Sequence, residues 1–311
     1  MPLFEVKKNN LTRVRQTNFA AEKVLQSLVE ENLDTVFNCR FVASEFSTGA
    51  QHAGRIDTLA LSEDDNPVII EYKKTESSDL INQSLFYLSW LDDHRGDFEI
   101  AARRSLTEKV RVDWSDIRVV CIAPNFKKYD LHAVQVMGAN IELWSYRLFE
   151  NSMFYLEEVL QKTVGATPAS ITSVKSPKMV AAGKKAAVTR ANAMYTFDEH
   201  VDGKPEKIRD LAMGISDFVM GLDPSIEQSP KKFYVAYKIA QNMVCMEVQQ
   251  SKVTLFLKLD PRKAKGPPNI SRDVSRIGHY GTGDLEVTVR SDRDFEATKP
   301  FIEMAYHEIG G

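Results

Sequence analysis

The chain has 311 residues, 43% of them hydrophobic and 27% charged, with a formal net charge of −3. That length allows about two domains with ordinary cores, and the charge excludes overall basicity as a route to nucleic acid, so any such surface must be local. Cys39, Cys121 and Cys245 are odd in number and outside any CxxC, no run approaches the ~18 apolar residues of a membrane helix, and the start MPLFEVKKNN lacks an apolar signal core, so a soluble protein of a reducing cytoplasm is expected.

In chain order, Phe19, Val24, Leu25, Leu28 and Val29 form a stripe that predicts a helix over 18–32. Strands follow at 40–46, 55–61 and 67–73. A helix over 79–93 places Leu80, Ile81, Leu85, Leu88 and Leu91 on its apolar side, with Ser77 or Ser78 as its cap. A second helix is expected near 97–109, then a strand at 117–123, a helix at 127–137 and a strand at 140–149. This alternation predicts an α/β sandwich on a mixed sheet flanked by helices. Residues 163–194 hold no aromatic and no acid, with five basic residues among Ala, Ser, Thr, Val and Pro. That composition predicts a flexible basic linker between domains at 1–162 and 195–311. The second half, with a helix at 204–220, three or four strands among 232–239, 242–249, 252–259 and 284–290, and a closing helix at 294–308, predicts a smaller α+β domain.

The stretch GRIDTLALSEDDNPVIIEYKK, residues 54–74, reads as two strands around a polar turn. Side chains alternate along a strand, so Val68, Ile69 and Ile70 make the second strand apolar on both faces, as in a central strand, while Glu71, Lys73 and Lys74 charge its end. Folding the hairpin about Asp64 pairs residues whose numbers sum to 128, which sets Asp57 opposite Glu71. Two carboxylates across an antiparallel pair repel, so a cation should compensate. Lys73 is one candidate. A divalent metal is a better one, because Mg²⁺ favours one or two carboxylates with water and phosphate oxygens. Such a metal on Asp57 and Glu71, with the Tyr72 carbonyl as a further ligand, suits phosphodiester hydrolysis, and Lys73 could position the attacking water or steady developing charge.

Gly54-Arg55-Ile56-Asp57, then Glu71-Tyr72-Lys73, then Gln83-Ser84-Leu85-Phe86-Tyr87 resembles the PD-(D/E)XK nuclease superfamily. The Gln-x-x-x-Tyr is similar to the motif of its RecB-like branch, and Tyr87-Leu88-Ser89-Trp90 and Cys121-Ile122-Ala123-Pro124 are similar to its mismatch-endonuclease catalytic domains. The resemblance covers about residues 15–160 and implies a restriction-endonuclease-like core. It implies Asp57 and Glu71 as metal-binding acids, Lys73 as the catalytic lysine, Glu22 as the acid on the first helix, and Gln83 and Tyr87 as residues that support the site or contact DNA. It further implies Mg²⁺ or Mn²⁺ as cofactor and DNA rather than RNA as substrate. Lys74 is expected at phosphate, His52 in the loop entering the Asp57 strand could touch substrate, and Glu45 is a further acid on the preceding strand. A homodimer is expected if the protein makes double-strand breaks.

The second domain is similar to an uncharacterised C-terminal domain found in bacterial proteins that carry the label "predicted transport protein", on the strength of KKFYVAYKIAQNMVCMEV, SRDVSRIGHYGTGDLEVTV and the closing helix. No segment could cross a membrane, so that label does not fit. Lys231, Lys232 and Lys238 interleave with aromatics, Arg262, Lys263, Lys265, Arg272 and Arg276 fall in a Pro/Gly-rich loop, and Gly278–Asp284 is a glycine-rich turn whose amides could cradle an anion. Repair and phage defence both fit a nuclease of this kind. The alternatives are a non-catalytic nucleic-acid-binding protein on a nuclease fold, and an interaction protein whose second domain senses a ligand.

Overall fold

The computed structural model describes residues 2–49, 54–76, 79–106, 110–137, 140–159 and 195–310. They form two compact units, one ahead of residue 160 and one after residue 194. The expected linker, Ser77 and Ser78, and His52 lie outside the described residues, and the helix expected to be capped by one of those serines has Asp79 at its N-cap position without a side-chain cap bond.

The first unit runs β1 (Leu3–Lys7), β2 (Asn10–Val14), β3 (Gln16–Thr17), α1 (Glu22–Glu30), α2 (Leu33–Phe37), β4 (Arg40–Ser47), β5 (Arg55–Leu61), β6 (Pro67–Tyr72), α3 (Leu80–Asp93), α4 (Arg95–Ser105), β7 (Arg118–Ala123), α5 (Lys128–Met137), β8 (Ile141–Phe149) and β9 (Phe154–Glu158). Strands β1 and β2 pair as a separate hairpin. The others form one mixed sheet in the order β3-β8-β7-β6-β5-β4, with β9 also on β8. β6, β7 and β8 are parallel and their neighbours antiparallel. Parallel neighbours need a crossover. Helices α3 and α4 supply it between β6 and β7, and α5 between β7 and β8. An α/β core on a mixed sheet is therefore present.

β6 is buried at every position, as an apolar strand with two neighbours and both faces covered should be. Each fully buried Val or Ile there contributes about 1.5–3 kcal/mol. On one face Ile69 joins Leu59, Leu61, Val119, Cys121 and Leu143 against Leu80, Leu85, Leu88 and Leu91 of α3. Helix α1 lies against β5 and β6. Its buried side chains are Leu25, Gln26 and Val29, whereas Val24 and Leu28 of the expected stripe are exposed. The buried face thus admits one glutamine, and its partners explain why.

The second unit contains α6 (Phe197–Val201), α7 (Glu206–Met220), β10 (Glu227–Pro230), β11 (Val235–Lys238), β12 (Asn242–Val248), β13 (Val253–Leu257), β14 (Ser271–Asp273), β15 (Leu285–Val289) and α8 (Asp292–Glu308). A single antiparallel sheet runs β10-β11-β12-β13-β15-β14, and α7 and α8 pack on one of its faces. It has at least two more strands than the three or four expected, because β10 and β14 are short polar edges without an apolar alternation. The unit is nonetheless α+β. Thr196 and Glu199 close a capping box on α6, and the Ser291 side chain caps α8. All three cysteines are buried and outside any disulfide.

Candidate active site

The β5–β6 hairpin has the register read from its sequence: Thr58 pairs with Ile70, Leu59 with Ile69, Ala60 with Val68 and Leu61 with Pro67. The turn closes where Ser62 N–H donates to the Asn66 carbonyl and Asp65 takes φ +62°. One step beyond the last pair, the regular ladder gives way to side-chain bonds. The Asp57 N–H donates to Glu71 Oε1 at 3.0 Å, and the Tyr72 N–H donates to Asp57 Oδ2 at 3.1 Å. Each carboxylate is held by the backbone of the other's strand, so the two acids are fixed side by side.

The second oxygen of Glu71, Oε2, is buried without a hydrogen-bond partner. Burial, then the neighbouring Asp57 charge, pushes the Glu71 carboxyl well above its usual range. Burial likewise raises Asp57, against the lowering effects of the Tyr72 N–H and the Lys73 charge. Lys73 therefore compensates the pair only in part. It lies past the end of β6, its N–H held by the Ile122 carbonyl at 2.9 Å, and its Nζ is 3.4 Å from Glu22 Oε1.

Glu22 is the first residue of α1, and its other oxygen accepts the Lys74 N–H at 2.9 Å. The Lys74 ammonium donates to the Ala20 carbonyl at 2.8 Å. Helix start and strand end are thereby tied together, and Glu22, Asp57, Glu71, Lys73 and Lys74 meet in one place. Tyr72 contributes its backbone at this position, while its buried ring points away and its hydroxyl accepts from Thr58 at 3.3 Å.

The helix partners stand behind the acids. Tyr87 is buried, and its hydroxyl accepts the Arg55 N–H at 3.1 Å and the Gln83 amide at 3.0 Å. The pair pins the start of the strand that carries Asp57, so Tyr87 supports the site from within the core. Gln83 sits one turn earlier on the same face of α3.

Two features escaped the sequence, and a third, the already noted Glu45, has partners that it did not show. Gln26 donates to the Asp57 carbonyl at 2.7 Å and to Glu30 at 2.9 Å, and Glu30 accepts from Thr58 at 2.6 Å. Glu22, Gln26 and Glu30 recur every four residues, so this polar ladder along α1 was visible as spacing but not as a buried face. Glu45, on β4, takes φ +54° and pairs with Lys23 at 3.1 Å and Arg55 at 2.5 Å. These partners hold its carboxyl below the usual range despite the opposing effect of burial. Tyr146 donates to the Lys74 carbonyl at 3.4 Å from a cluster with Phe19 and Phe154 that no local pattern announces.

The donor set fits a hard divalent cation. Two adjacent carboxylates with one unsatisfied buried oxygen are what Mg²⁺ takes, with its other positions filled by backbone, water and phosphate oxygens. Among the described residues no three His, Cys, Asp or Glu side chains form a ready-made metal centre. Any ion here would rest on Asp57 and Glu71.

Comparison with known proteins gives three kinds of match. Residues 197–308 match the family model of a domain of unknown function, DUF5655. An uncharacterised protein of Haemophilus influenzae is 29% identical over 309 residues, 98% of this chain and 99% of the relative. Among solved structures, the EndoMS-dsDNA2 complex aligns with TM-score 0.30 and 15% identity over 47% of this chain and 64% of that one. A repair endonuclease from Pyrococcus abyssi aligns with TM-score 0.29 and 14% identity over 45% of this chain and 63% of that one. The chain thus spans just under two thirds of each of these nucleases, and such TM-scores are too low to establish a shared fold. Among the described residues no helix is long and apolar enough to cross a membrane.

Proposed function

We propose that the first unit is a restriction-endonuclease-like domain that hydrolyses phosphodiester bonds of DNA with the help of Mg²⁺ or Mn²⁺. The observation that carries this reading is the convergence of Asp57, Glu71, Lys73 and Glu22 at one strand end, with Glu71 Oε2 buried and unsatisfied. DNA as the substrate rests on the motif resemblance.

Asp57 and Glu71 would hold the ion, with the Tyr72 carbonyl beside them. A bound divalent ion supplies polarisation of the scissile phosphate and a lower pKa for water. Lys73 presents its amine at the same strand end, where it can orient the attacking water and stabilise charge on the phosphoryl oxygens. Glu22 keeps that amine in place across 3.4 Å and is itself fixed by the Lys74 N–H, so it acts as a positioning residue. The exposed Lys74 lies beside the acids, where it can meet a phosphate.

The test is cleavage of supercoiled, linear, single-stranded and branched DNA with Mg²⁺ or Mn²⁺, beside Asp57→Ala and Lys73→Ala chains. Cutting that both substitutions and a chelator abolish supports the reading. A native chain that cuts none of these, and whose melting temperature does not rise with Mg²⁺, Mn²⁺ or Ca²⁺, refutes it.

A further inference from the structure

The second unit separates its charges. Residues 231–283 contain ten Lys or Arg against three Asp or Glu, while the rest of 195–310 contains six against fifteen. The basic stretch spans β11 to β14 and the loop after it. The acidic remainder includes α7 and α8, which pack on one face of the sheet.

The face away from the helices carries the row Ala236, Cys245, Phe256, Glu286 and Arg272 across five strands. The loop before β15 folds down onto this row and is fixed there. The His279 ring stacks on Phe256 with centroids 4.1 Å apart and planes 2° from parallel. The Thr282 N–H donates to Cys245 Sγ at 3.3 Å. Gly281 at φ +78° and Gly283 at φ +131° bring the backbone so close that a Cβ would lie 2.6 Å from Cys245 and 2.7 Å from the Leu257 carbonyl.

That anchored loop presents Tyr280 outward. Tyr280 is 54% exposed and stacks on Phe233, 47% exposed, with ring centroids 4.3 Å apart. Lys232 places its ammonium 5.2 Å from the Phe233 ring centre. The pair thus stands exposed and already stacked on an anchored loop, beside a cation and within a basic stretch, so a ligand ring meets a π-surface assembled before it binds.

We infer that the Phe233–Tyr280 stack binds an unpaired base of a single-stranded nucleic acid, with Lys232 taking a neighbouring phosphate. A π-face accepts a base only when that base is out of its own duplex, which selects single strands, and the cationic surroundings select a polyanion over a neutral peptide. This inference does not depend on the nuclease reading, since it needs neither metal nor the carboxylates of the first unit.

The test uses the full chain carrying Asp57→Ala, in chelator, with fluorescein-labelled oligothymidylate and oligouridylate of about 20 nucleotides and a duplex of the same length. Anisotropy should show tighter binding of the single strands than of the duplex, and the two single strands tell DNA from RNA. Tyr280→Ala or Phe233→Ala should weaken binding by about 5- to 150-fold, the range for loss of one stacked base. Lys232→Ala should make the salt dependence shallower by about 0.7 in log–log slope. A 2-aminopurine placed in the strand should be quenched by the Asp57→Ala chain and not by its Tyr280→Ala derivative. Both aromatics are exposed, so an unchanged melting temperature shows that the variants are folded. Absence of single-strand binding, a preference for duplex, or binding that survives both aromatic substitutions overturns the inference.

Discussion

Replacing Glu71 with Gln should stabilise the metal-free protein at neutral pH and abolish its response to Mg²⁺. The carboxylate is buried beside Asp57, and its Oε2 has no partner. A glutamine keeps an oxygen for the Asp57 N–H and replaces the orphaned oxygen with an amide that can donate to Asp57. Relief of one buried, unsatisfied charged atom is worth about 1–3 kcal/mol. For a unit of this size that is roughly 2–4 °C in melting temperature per kcal/mol.

The pH dependence has a definite sign. Below about 4.3, the ordinary glutamate value, folded and unfolded chains both carry the proton and the native residue has no charge penalty. As pH rises the unfolded chain ionises first, and native stability falls relative to Glu71→Gln until pH passes the raised folded value. Asp57 is raised as well, so the two acids titrate as a pair. Trp90, Trp114 and Trp144 are the only tryptophans of the chain and all lie in the first unit, so their fluorescence reports its unfolding alone. Melting in chelator at pH 5 and pH 8 should show a gap that widens with pH, and added Mg²⁺ should close it from the native side. A gap independent of pH, or a Glu71→Gln chain less stable than the native one at pH 8 in chelator, would refute the argument.

Other consequences can be measured on the same protein. Arg118→Met should cost about 3–5 kcal/mol in urea unfolding followed by tryptophan fluorescence, because the Glu142 carboxylate, bound at 2.8 Å through both oxygens, would be left buried. The double change Arg118→Met with Glu142→Leu should recover much of that loss. Tyr87→Phe should lower stability by about 1 kcal/mol and leave DNA affinity unchanged, since its hydroxyl holds Arg55 and Gln83. A loss of affinity without loss of stability would make Tyr87 a substrate contact instead. Gly283→Ala should destabilise the second unit by more than about 1 kcal/mol, seen as a shifted far-UV circular dichroism transition with unchanged tryptophan fluorescence.

The hairpin and the residues it brings together are legible in residues 54–74 alone. Alternation with a single register, numbers summing to 128, is a local property of residues 54–74, so Asp57 and Glu71 could be paired without a structure. The helix and strand periods likewise placed α3, β7, α5, β8 and the closing helix within a few residues of where they lie. What surrounds the acids comes from elements distant in the chain. The buried face of α1 carries Gln26 rather than Val24, and there the Gln26 amide donates to the Asp57 carbonyl across from another element. The sequence left Tyr87 as a support of the site or a DNA contact, and the structure shows its hydroxyl accepting from Arg55 and Gln83 within the core. The open sheet face of the second unit depends on β14 and on a loop pinned to it, both too short and polar to announce themselves. Local periodicity reports which way a side chain points along its own element. Which donor, charge or ring it meets there depends on elements distant in sequence, and those meetings set the ionisation of Glu71 and the exposure of Tyr280.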